Sequence, residues 1–239
     1  MRHRPPAVAA TCIISITLLT ACATGTGTEP TEEPVASLVQ TIRTPAGATI
    51  ELPSEPRAAL GFYTTDIDIL LTLDYPLASS QPVRDDFTNF PDFFPLAELE
   101  GLSTFTNYPE FNFEGVAAAE PDFVLNGLGY DTELDPKLQE IAPTYTYNAF
   151  DGGDWREPVA QTASDLGREE QWQAWNSSYE QRVASIRTRL DDAGIDPVVA
   201  ALDPVDEDGS GVAAWNGVPW LVFDDLGLRT AEVAGPRTG

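Results

Sequence analysis

Apolar and polar positions along the chain alternate in a way that predicts strands and helices from residue 38 onward. Leu38 to Leu52 forms two β-rich runs around a Pro-Ala-Gly turn, which predicts a hairpin. After Pro56, short apolar runs typical of buried strands alternate with segments that have apolar residues every three or four positions. This spacing predicts an α/β fold with a mostly parallel sheet.

The individual elements follow from these runs and from the residues that interrupt them. The predicted strands are residues 58–61, 75–78, 102–105, 122–125 and 144–147, and the predicted helices are residues 65–73, 112–120 and 134–141. Ligands of an open parallel sheet bind beyond the carboxyl ends of its strands, so the loops after these strands are where we expect a site.

The longest helical pattern runs from Arg168 to Ala193 and ends at Gly194. A helix of this length extends for roughly 35 Å, which is long enough to bridge two lobes. Its apolar side chains step by three or four residues along one face, which indicates a packing stripe rather than a ligand box. The stripe consists of Trp172, Trp175, Tyr179, Val183, Ile186 and Leu190.

Two strand patterns follow the long helix, Pro197 to Leu202 and Trp215 to Phe223, with no crossover helix to cover them. So small a sheet does not stand alone, and we expect a truncated form of a longer protein. The predicted fold class is α/β, with two Rossmann-like lobes of mostly parallel sheet, joined by one long α-helix, and an incomplete second lobe. The predicted boundaries are 38–167 for the first lobe, 168–193 for the helix and 194–239 for the partial lobe.

The first residues resemble an export signal. Arg2 and Arg4 precede the apolar run Val8 to Ala21, which is shorter than the ~20 residues of a membrane-spanning helix. The run ends in Leu-Thr-Ala-Cys, and this element resembles the lipobox of bacterial lipoproteins. The resemblance implies a signal peptide over residues 1–21, a lipid on Cys22 and a flexible tether over residues 22–37. The alternative is an ordinary secretory signal with an incidental cysteine.

Composition and charge exclude several function classes. The formal net charge of −25 excludes a nucleic-acid binder, which needs a basic surface. His3 is the only histidine, and it leaves with the signal, so Ser-His-Asp triads, Cys-His pairs and imidazole-based metal sites cannot be built. The acidic turn Asp203 to Ser210 lacks the spaced ligands of a calcium loop, which favours a solvated turn.

The candidate ligand residues are aromatic and arginine side chains in the loops after the predicted strands. They are Tyr63, Arg84 with Phe87, Tyr108, Tyr130, Trp155 with Arg156, and Trp215 from the second lobe. Aromatic walls with one or two guanidinium donors suit a bulky, amphipathic ligand. Aromatic residues over a sheet are also often part of the core, and we expect this of about half of the set. Arg84 could equally pair with Asp85 or Asp86 on the surface.

The ordered set of segments resembles the substrate-binding lipoproteins of bacterial ABC importers, in the branch that handles iron-siderophore complexes, haem and cobalamin. The matching elements are Glu55–Leu60, Asp66–Pro76 with Asp74 where Gly would be usual, Asn112–Leu125, Ile141–Thr144, the helix Gln171–Leu190 and the Leu-Gly-Leu element Leu226–Leu228. Each motif is weak by itself, and the strength of the resemblance lies in their order and spacing over residues 38 to 232.

The resemblance implies a monomeric receptor, anchored by lipid to the outer face of the cell membrane, that captures a ferric siderophore and delivers it to an ABC permease. It implies no enzymatic activity and no cofactor, because iron arrives inside the ligand. In this family the Glu of the Asn-x-Glu element meets arginines of the permease, which implies a docking role for Glu114. A helix-start acid without a partner is the alternative. Tyr130 corresponds to a ligand-contacting Tyr of hydroxamate-siderophore binders, whereas Tyr108 stands where those binders tend to use Arg.

Two other functions stay open. A haem or cobalamin carrier of the same fold is one, although haem iron would need Tyr as its axial ligand in a chain without histidine. A surface lipoprotein hydrolase that uses carboxylates is the other. It requires two acids that converge in one cleft, and the sequence singles out no such pair.

Overall fold

The structure is a computed structural model that describes residues 39–87, 89–200, 202–204, 211–213 and 218–231. All of these belong to one compact unit, Ser37–Gly239. The predicted signal peptide, Cys22, the tether and Trp215 lie outside the described residues. The predicted hairpin is confirmed: β1 (Val39–Arg43) pairs antiparallel with β2 (Thr49–Pro53). Gly47, in the turn, has φ +91°, which favours glycine.

Five parallel strands form the main sheet. They are β3 (Ala59–Gly61), β4 (Ser80–Arg84), β5 (Ser103–Tyr108), β6 (Phe123–Asn126) and β7 (Thr144–Thr146). One ladder joins β3, β6 and β7, and another joins β4 and β5. A single parallel bridge between Ala59 and Leu77 links the two ladders. The resulting spatial order β5-β4-β3-β6-β7 changes direction between β3 and β6, as in a doubly wound nucleotide-binding fold.

The side chain of Gln81 replaces the missing ladder between β3 and β4. Its Oε1 accepts a hydrogen bond from the Gly61 N–H (3.1 Å), and its Nε2 donates to the Ala59 carbonyl (2.9 Å). The predicted second strand, 75–78, is therefore wrong: the strand lies at Ser80–Arg84, and only Leu77 of the predicted run makes a bridge. The residues from Ser79 to Gln81 are polar and are followed by Pro82, so the sequence shows no apolar strand pattern there. The connection of this strand to β3 runs through the Gln81 side chain, which a sequence pattern does not reveal.

Four short helices cover the two faces of the sheet. They are α1 (Thr64–Thr72), α2 (Phe113–Ala118), α3 (Leu134–Gln139) and α4 (Arg156–Asp165). Phe123 and Leu125 of β6 pack with α1 and α4 on one face, and Val124 packs with α2 and α3 on the other. Alternate residues of this strand thus fill two cores, which explains why its sequence is a continuous apolar run.

The long helix α5 (Glu169–Asp192) agrees with the prediction to within one residue at each end. The six predicted stripe residues are all buried or half-buried, and Trp172 and Trp175 pack against the core shared by α1 and α4. Within the described ranges, no helix combines the length and the apolar character that a membrane span requires.

The part after α5 differs from the prediction. β8 (Val198–Val199) pairs parallel with β11 (Arg229–Thr230), and β9 (Leu202–Pro204) pairs antiparallel with β10 (Gly211–Ala213). Residues 218–223, predicted as part of a strand, instead begin the helix α6 (Val218–Leu226), so the prediction of no crossover helix is also wrong.

The boundaries of α6 explain why a β-rich sequence forms a helix. Pro219 lies in its first turn, and Gly227 follows its last residue with φ +65°. The Gly227 and Leu228 N–H groups donate to the Asp224 and Phe223 carbonyls at 2.9 Å each, which closes the helix end. These start and stop residues outweigh the β propensity of the apolar run between them.

Candidate ligand-binding edge of the sheet

Five side chains from five consecutive strand ends meet at the carboxyl edge of the main sheet. Arg84 and Tyr108 are the last residues of β4 and β5, and Tyr63, Tyr130 and Phe150 lie in the segments after β3, β6 and β7. The edge includes the point between β3 and β6 where the strand order reverses, which is where doubly wound folds bind their ligands.

Arg84 lies at the centre of one half of this edge. Its Nη1 donates to the hydroxyl of Tyr63 at 3.0 Å, and its guanidinium carbon lies 4.8 Å from the ring centre of Tyr108. Its Nε donates to Asp86 at 3.1 Å. The hydrogen bond with Tyr63, then that with Asp86, raises the pKa of the Arg84 guanidinium. The two tyrosine rings meet edge to face, 5.9 Å apart.

Phe150 extends the cluster to Tyr130. Its ring centre lies 6.1 Å from that of Tyr63 and 5.8 Å from that of Tyr130, both in edge-to-face geometry. Tyr108, Tyr63, Phe150 and Tyr130 thus form a continuous line, which we call the aromatic row. Tyr130 and Phe150 are 61% and 53% exposed, so this half of the row presents open ring surface to a ligand.

A bulge in β5 aims Arg84 and Tyr108 at the same spot. Val83 pairs with Thr106, but Arg84 pairs with Tyr108, which leaves Asn107 as an extra residue. The buried Asn107 side chain donates to the Phe62 carbonyl at 2.8 Å and accepts from the Asn112 N–H at 2.7 Å. It therefore ties the end of β5 to the end of β3 and to the start of α2.

Asp66 connects three strand ends beneath the aromatic row. It is fully buried in the first turn of α1, and its carboxyl accepts from the Tyr63 N–H (2.9 Å) and the Tyr147 hydroxyl (2.8 Å). The Gly127 N–H is a third donor. Burial raises the pKa of Asp66 to about 7, against the opposing effect of these hydrogen bonds. A Cβ on Gly127 would lie 2.5 Å from the Asp66 Oδ1, so only glycine fits there.

The other predicted residues lie elsewhere. Phe87 packs on the small core beside β4 and α1, and Trp155 packs on the core formed with α5. Arg156 donates to Asp154 (3.1 Å) and to Asp225 of α6 (2.6 Å). Glu114 is exposed in the first turn of α2, two positions after the capping residue Asn112.

An apolar cavity beside these tryptophans does not coincide with the aromatic row. It has a volume of about 170 Å³ and lies against α1, α4 and α5, with Trp155, Trp172 and Trp175 in its walls. Its lining consists mainly of side chains that also form the core, so we interpret it as a packing gap. The space between Tyr63, Arg84 and Tyr108 is far smaller, but it opens at the edge where parallel sheets bind ligands.

Sequence reasoning missed two residues of this edge, Phe150 and Asp66. Phe150 follows β7 as the other members follow their strands, so the rule that found them could have found it. The choice within that loop favoured Trp155 and Arg156 instead. Asp66 gave no separate signal, because an acid in the first turn of a helix is ordinarily exposed and stabilised by the helix dipole.

Open parallel sheets bind small molecules beyond the carboxyl ends of their strands, which is where this edge lies. A family model described as periplasmic binding protein matches residues 84–231, which is more than half of the chain. The chain belongs to the periplasmic binding protein family, whose members are exported and bind solutes. This finding confirms the family resemblance and the predicted α/β fold class.

Solved structures share the fold at low sequence identity. Holo-ViuP and Staphylococcus aureus SirA complexed with staphyloferrin B both have a TM-score of 0.62, at 20% and 16% identity. Each match covers 81% of this chain and 65% of the other. A periplasmic solute binding protein from Mycobacterium smegmatis has a TM-score of 0.64 at 19% identity, over 82% of this chain and 70% of that one. A search of curated proteins finds no match.

Proposed function

We propose that this protein captures a ferric siderophore at the carboxyl edge of its main sheet and passes it to an ABC permease. The observation that carries the proposal is the position of Arg84, held between the Tyr63 hydroxyl and the Tyr108 ring at the head of the aromatic row. Rings and one guanidinium are the groups that an amphipathic ferric complex needs, since its own chelator already fills the coordination shell of the iron.

Two of the structures that share this fold were solved with their own ligands. One is SirA in complex with staphyloferrin B, and another is BauB, a siderophore binding protein bound to acinetobactin and ferric iron. At identities of 16% and 15%, similarity to these two structures shows only a shared fold. The ligand class proposed for this protein rests on the aromatic row. The long helix α5 favours a small motion of the lobes on binding.

The proposal includes two contacts outside the ligand site. Lipid on Cys22 would hold the protein at the outer face of the membrane, next to its permease. Glu114 would dock against arginines of the permease, as its place in the Asn-x-Glu element implies. Its exposure at the start of a helix that packs on the sheet supports this role, because a charge on a rigid surface can steer and orient a basic partner.

A ligand titration tests the capture step. The protein, purified from a host that exports and processes it, would be titrated with ferric hydroxamate, ferric catecholate and ferric citrate complexes, haem and cobalamin, with tryptophan fluorescence as the signal. We expect saturable binding of at least one ferric siderophore. If only haem or cobalamin bound, the ligand would be that compound and not a ferric siderophore. If none of the five bound, the proposal would be refuted.

Replacement of Glu114 tests the delivery step. We expect Glu114→Ala to bind the ferric siderophore with unchanged affinity but to support little uptake of radiolabelled iron by cells that contain the matching permease. Glu157→Ala is the matched control, because Glu157 is an exposed acid in the first turn of α4. Equal uptake by both variants would refute docking through Glu114.

A further inference from the structure

The basic groups at the ligand edge are already neutralised by aspartates. Among the described residues of the five strand ends and the loops after them, the basic side chains are Arg84 and Arg156. Arg84 pairs with Asp86 at 3.1 Å, and Arg156 pairs with Asp154 at 3.1 Å and with Asp225 at 2.6 Å. Neither guanidinium therefore offers an uncompensated positive charge to a ligand.

Carboxylates surround the same edge. Acids in the segments after the strands include Asp85 and Asp86 after β4, Glu110 after β5, Asp131 and Glu133 after β6, and Asp151 and Asp154 after β7. All of them are exposed or half-exposed, so their charges act through solvent over roughly the 8 Å Debye length of a physiological buffer. An anionic complex seated on the aromatic row would meet more negative charge than positive charge from the segments after β4, β5, β6 and β7.

The exposed rings of the aromatic row favour a ligand with a positive charge. Tyr130 and Phe150 expose more than half of their surface, and an aromatic face attracts cations. Arg84 already uses the face of Tyr108 in this way, at 4.8 Å. A neutral complex could pack on the row, and a complex with an ammonium group could also be attracted by the surrounding carboxylates.

We propose, on the basis of the proposed function, that the site selects ferric complexes that are neutral or carry a positive charge, as ferric trihydroxamates do, over anionic tricatecholates and ferric citrate. Asp86 sets this selectivity, because its ion pair with Arg84 removes the charge that an anionic chelator would need. Asp86 thus acts on the ligand through Arg84.

Affinities of four radiolabelled complexes test the selection. Equilibrium dialysis of the wild-type protein would compare a neutral and a cationic ferric trihydroxamate with a ferric tricatecholate and ferric citrate. We expect the Kd values of the two trihydroxamates to be at least about tenfold lower than those of the tricatecholate and ferric citrate. Added salt should weaken the binding of the cationic complex. Tighter binding of an anionic complex would overturn the selection but leave siderophore capture intact, whereas no binding of any complex would overturn both.

The variant Asp86→Asn tests the role of the ion pair. It frees the Arg84 guanidinium, and we expect affinity for the anionic complexes to rise by roughly tenfold while affinity for the cationic complex falls. Asp85→Asn is the matched control: it makes the same change in net charge one position away, where the carboxylate does not pair with Arg84. Both positions are exposed, and circular dichroism would verify the fold. Equal effects of the two variants would overturn the role of Asp86.

Discussion

Asp66 shows how a single side chain organises the ligand edge. Its buried carboxyl accepts hydrogen bonds from groups that follow β3, β6 and β7, namely the Tyr63 N–H, the Gly127 N–H and the Tyr147 hydroxyl. Burial of Tyr147, together with the nearby Asp66, raises the pKa of that hydroxyl, so it stays a donor. The position of Tyr63 in the aromatic row therefore depends on a buried carboxyl group.

The raised pKa of Asp66 predicts a pH-dependent stability. In the unfolded chain the carboxyl ionises near its ordinary pKa of 3.8, whereas in the folded chain it keeps its proton up to about pH 7. The contribution to stability is thus complete below the lower value and is lost as the pH rises toward the upper one, by up to about 4 kcal/mol. Urea unfolding from acidic to neutral pH would measure this decline.

The matched variant is Asp66→Asn, which carries no titrating proton. We expect the decline between these pH values to be smaller in the variant than in the wild type, whatever the absolute stability of the variant. Parallel curves for the two proteins would show that Asp66 does not titrate in this range.

Phe150 is the residue-scale test of the aromatic row. It bridges Tyr63 and Tyr130 and is half exposed, so Phe150→Ala removes ring contacts to a ligand without opening the core. We expect a loss of roughly three- to tenfold in affinity for the ferric siderophore, with an almost unchanged free energy of unfolding. Phe93→Ala, which truncates a 77% exposed ring outside the row, should leave affinity unchanged. A similar loss in both variants would contradict the role of the row.

At the scale of the elements, the main sheet depends on a polar side chain at its centre. One backbone bridge joins Ala59 of β3 to Leu77, which precedes β4, and Gln81 supplies further hydrogen bonds between the two strands from a fully buried position. Because β4 ends in Arg84 and β3 leads to Tyr63, this junction also sets the distance between these two candidate ligand-binding residues.

The variant Gln81→Met keeps the length of the side chain and removes its hydrogen bonds. We expect the free energy of unfolding to fall by about 2 kcal/mol or more, because the buried Gly61 N–H loses its acceptor. Chemical denaturation would measure the change. Gln139→Met should be nearly neutral, since Gln139 is exposed and bonds only to Asp135 within α3. A neutral Gln81→Met would mean that the bridge alone joins the strands.

The predictable elements are those whose boundaries carry local signals. The helix that starts at Asn112 has a capping side chain and stops before Pro121, and α5 has a continuous apolar stripe, so both could be predicted. The strand β4 could not be predicted, because its pairing depends on the tertiary contacts of Gln81. α6 was predicted as a strand from its β-rich run, although Pro219 and Gly227 carried the opposite signal.

The candidate site was predictable to a similar extent. The rule that ligands lie after strand ends indicated Tyr63, Arg84, Tyr108 and Tyr130, and the structure brings these four together. It did not distinguish Phe150 from the other aromatic residues of its loop. Asp66 could not be found, because burial of a carboxyl is a property of the packed molecule and not of the residues next to it.

At the scale of the whole molecule, one aspartate joins the last helix to the rest. Asp225 of α6 accepts from Arg156 of α4 at 2.6 Å and from the hydroxyl of Tyr179 of α5, and Arg187 donates to its carbonyl. The same Arg156 lies over the rings of Trp155 and Tyr179. Charged and aromatic contacts therefore connect the described part after α5 to α4. The helix α4 begins directly after the loop that contains Phe150.

The most direct test of the central claim is the position of iron in crystals of the protein grown with a ferric siderophore. Anomalous scattering at the iron edge locates the metal without any assumption about the ligand. The account predicts one peak beyond the carboxyl ends of β3 and β4, with the chelator against Tyr63, Tyr108 and Phe150. A peak in the cavity beside Trp155 and Trp172, or occupancy at neither place under saturating ligand, would contradict it.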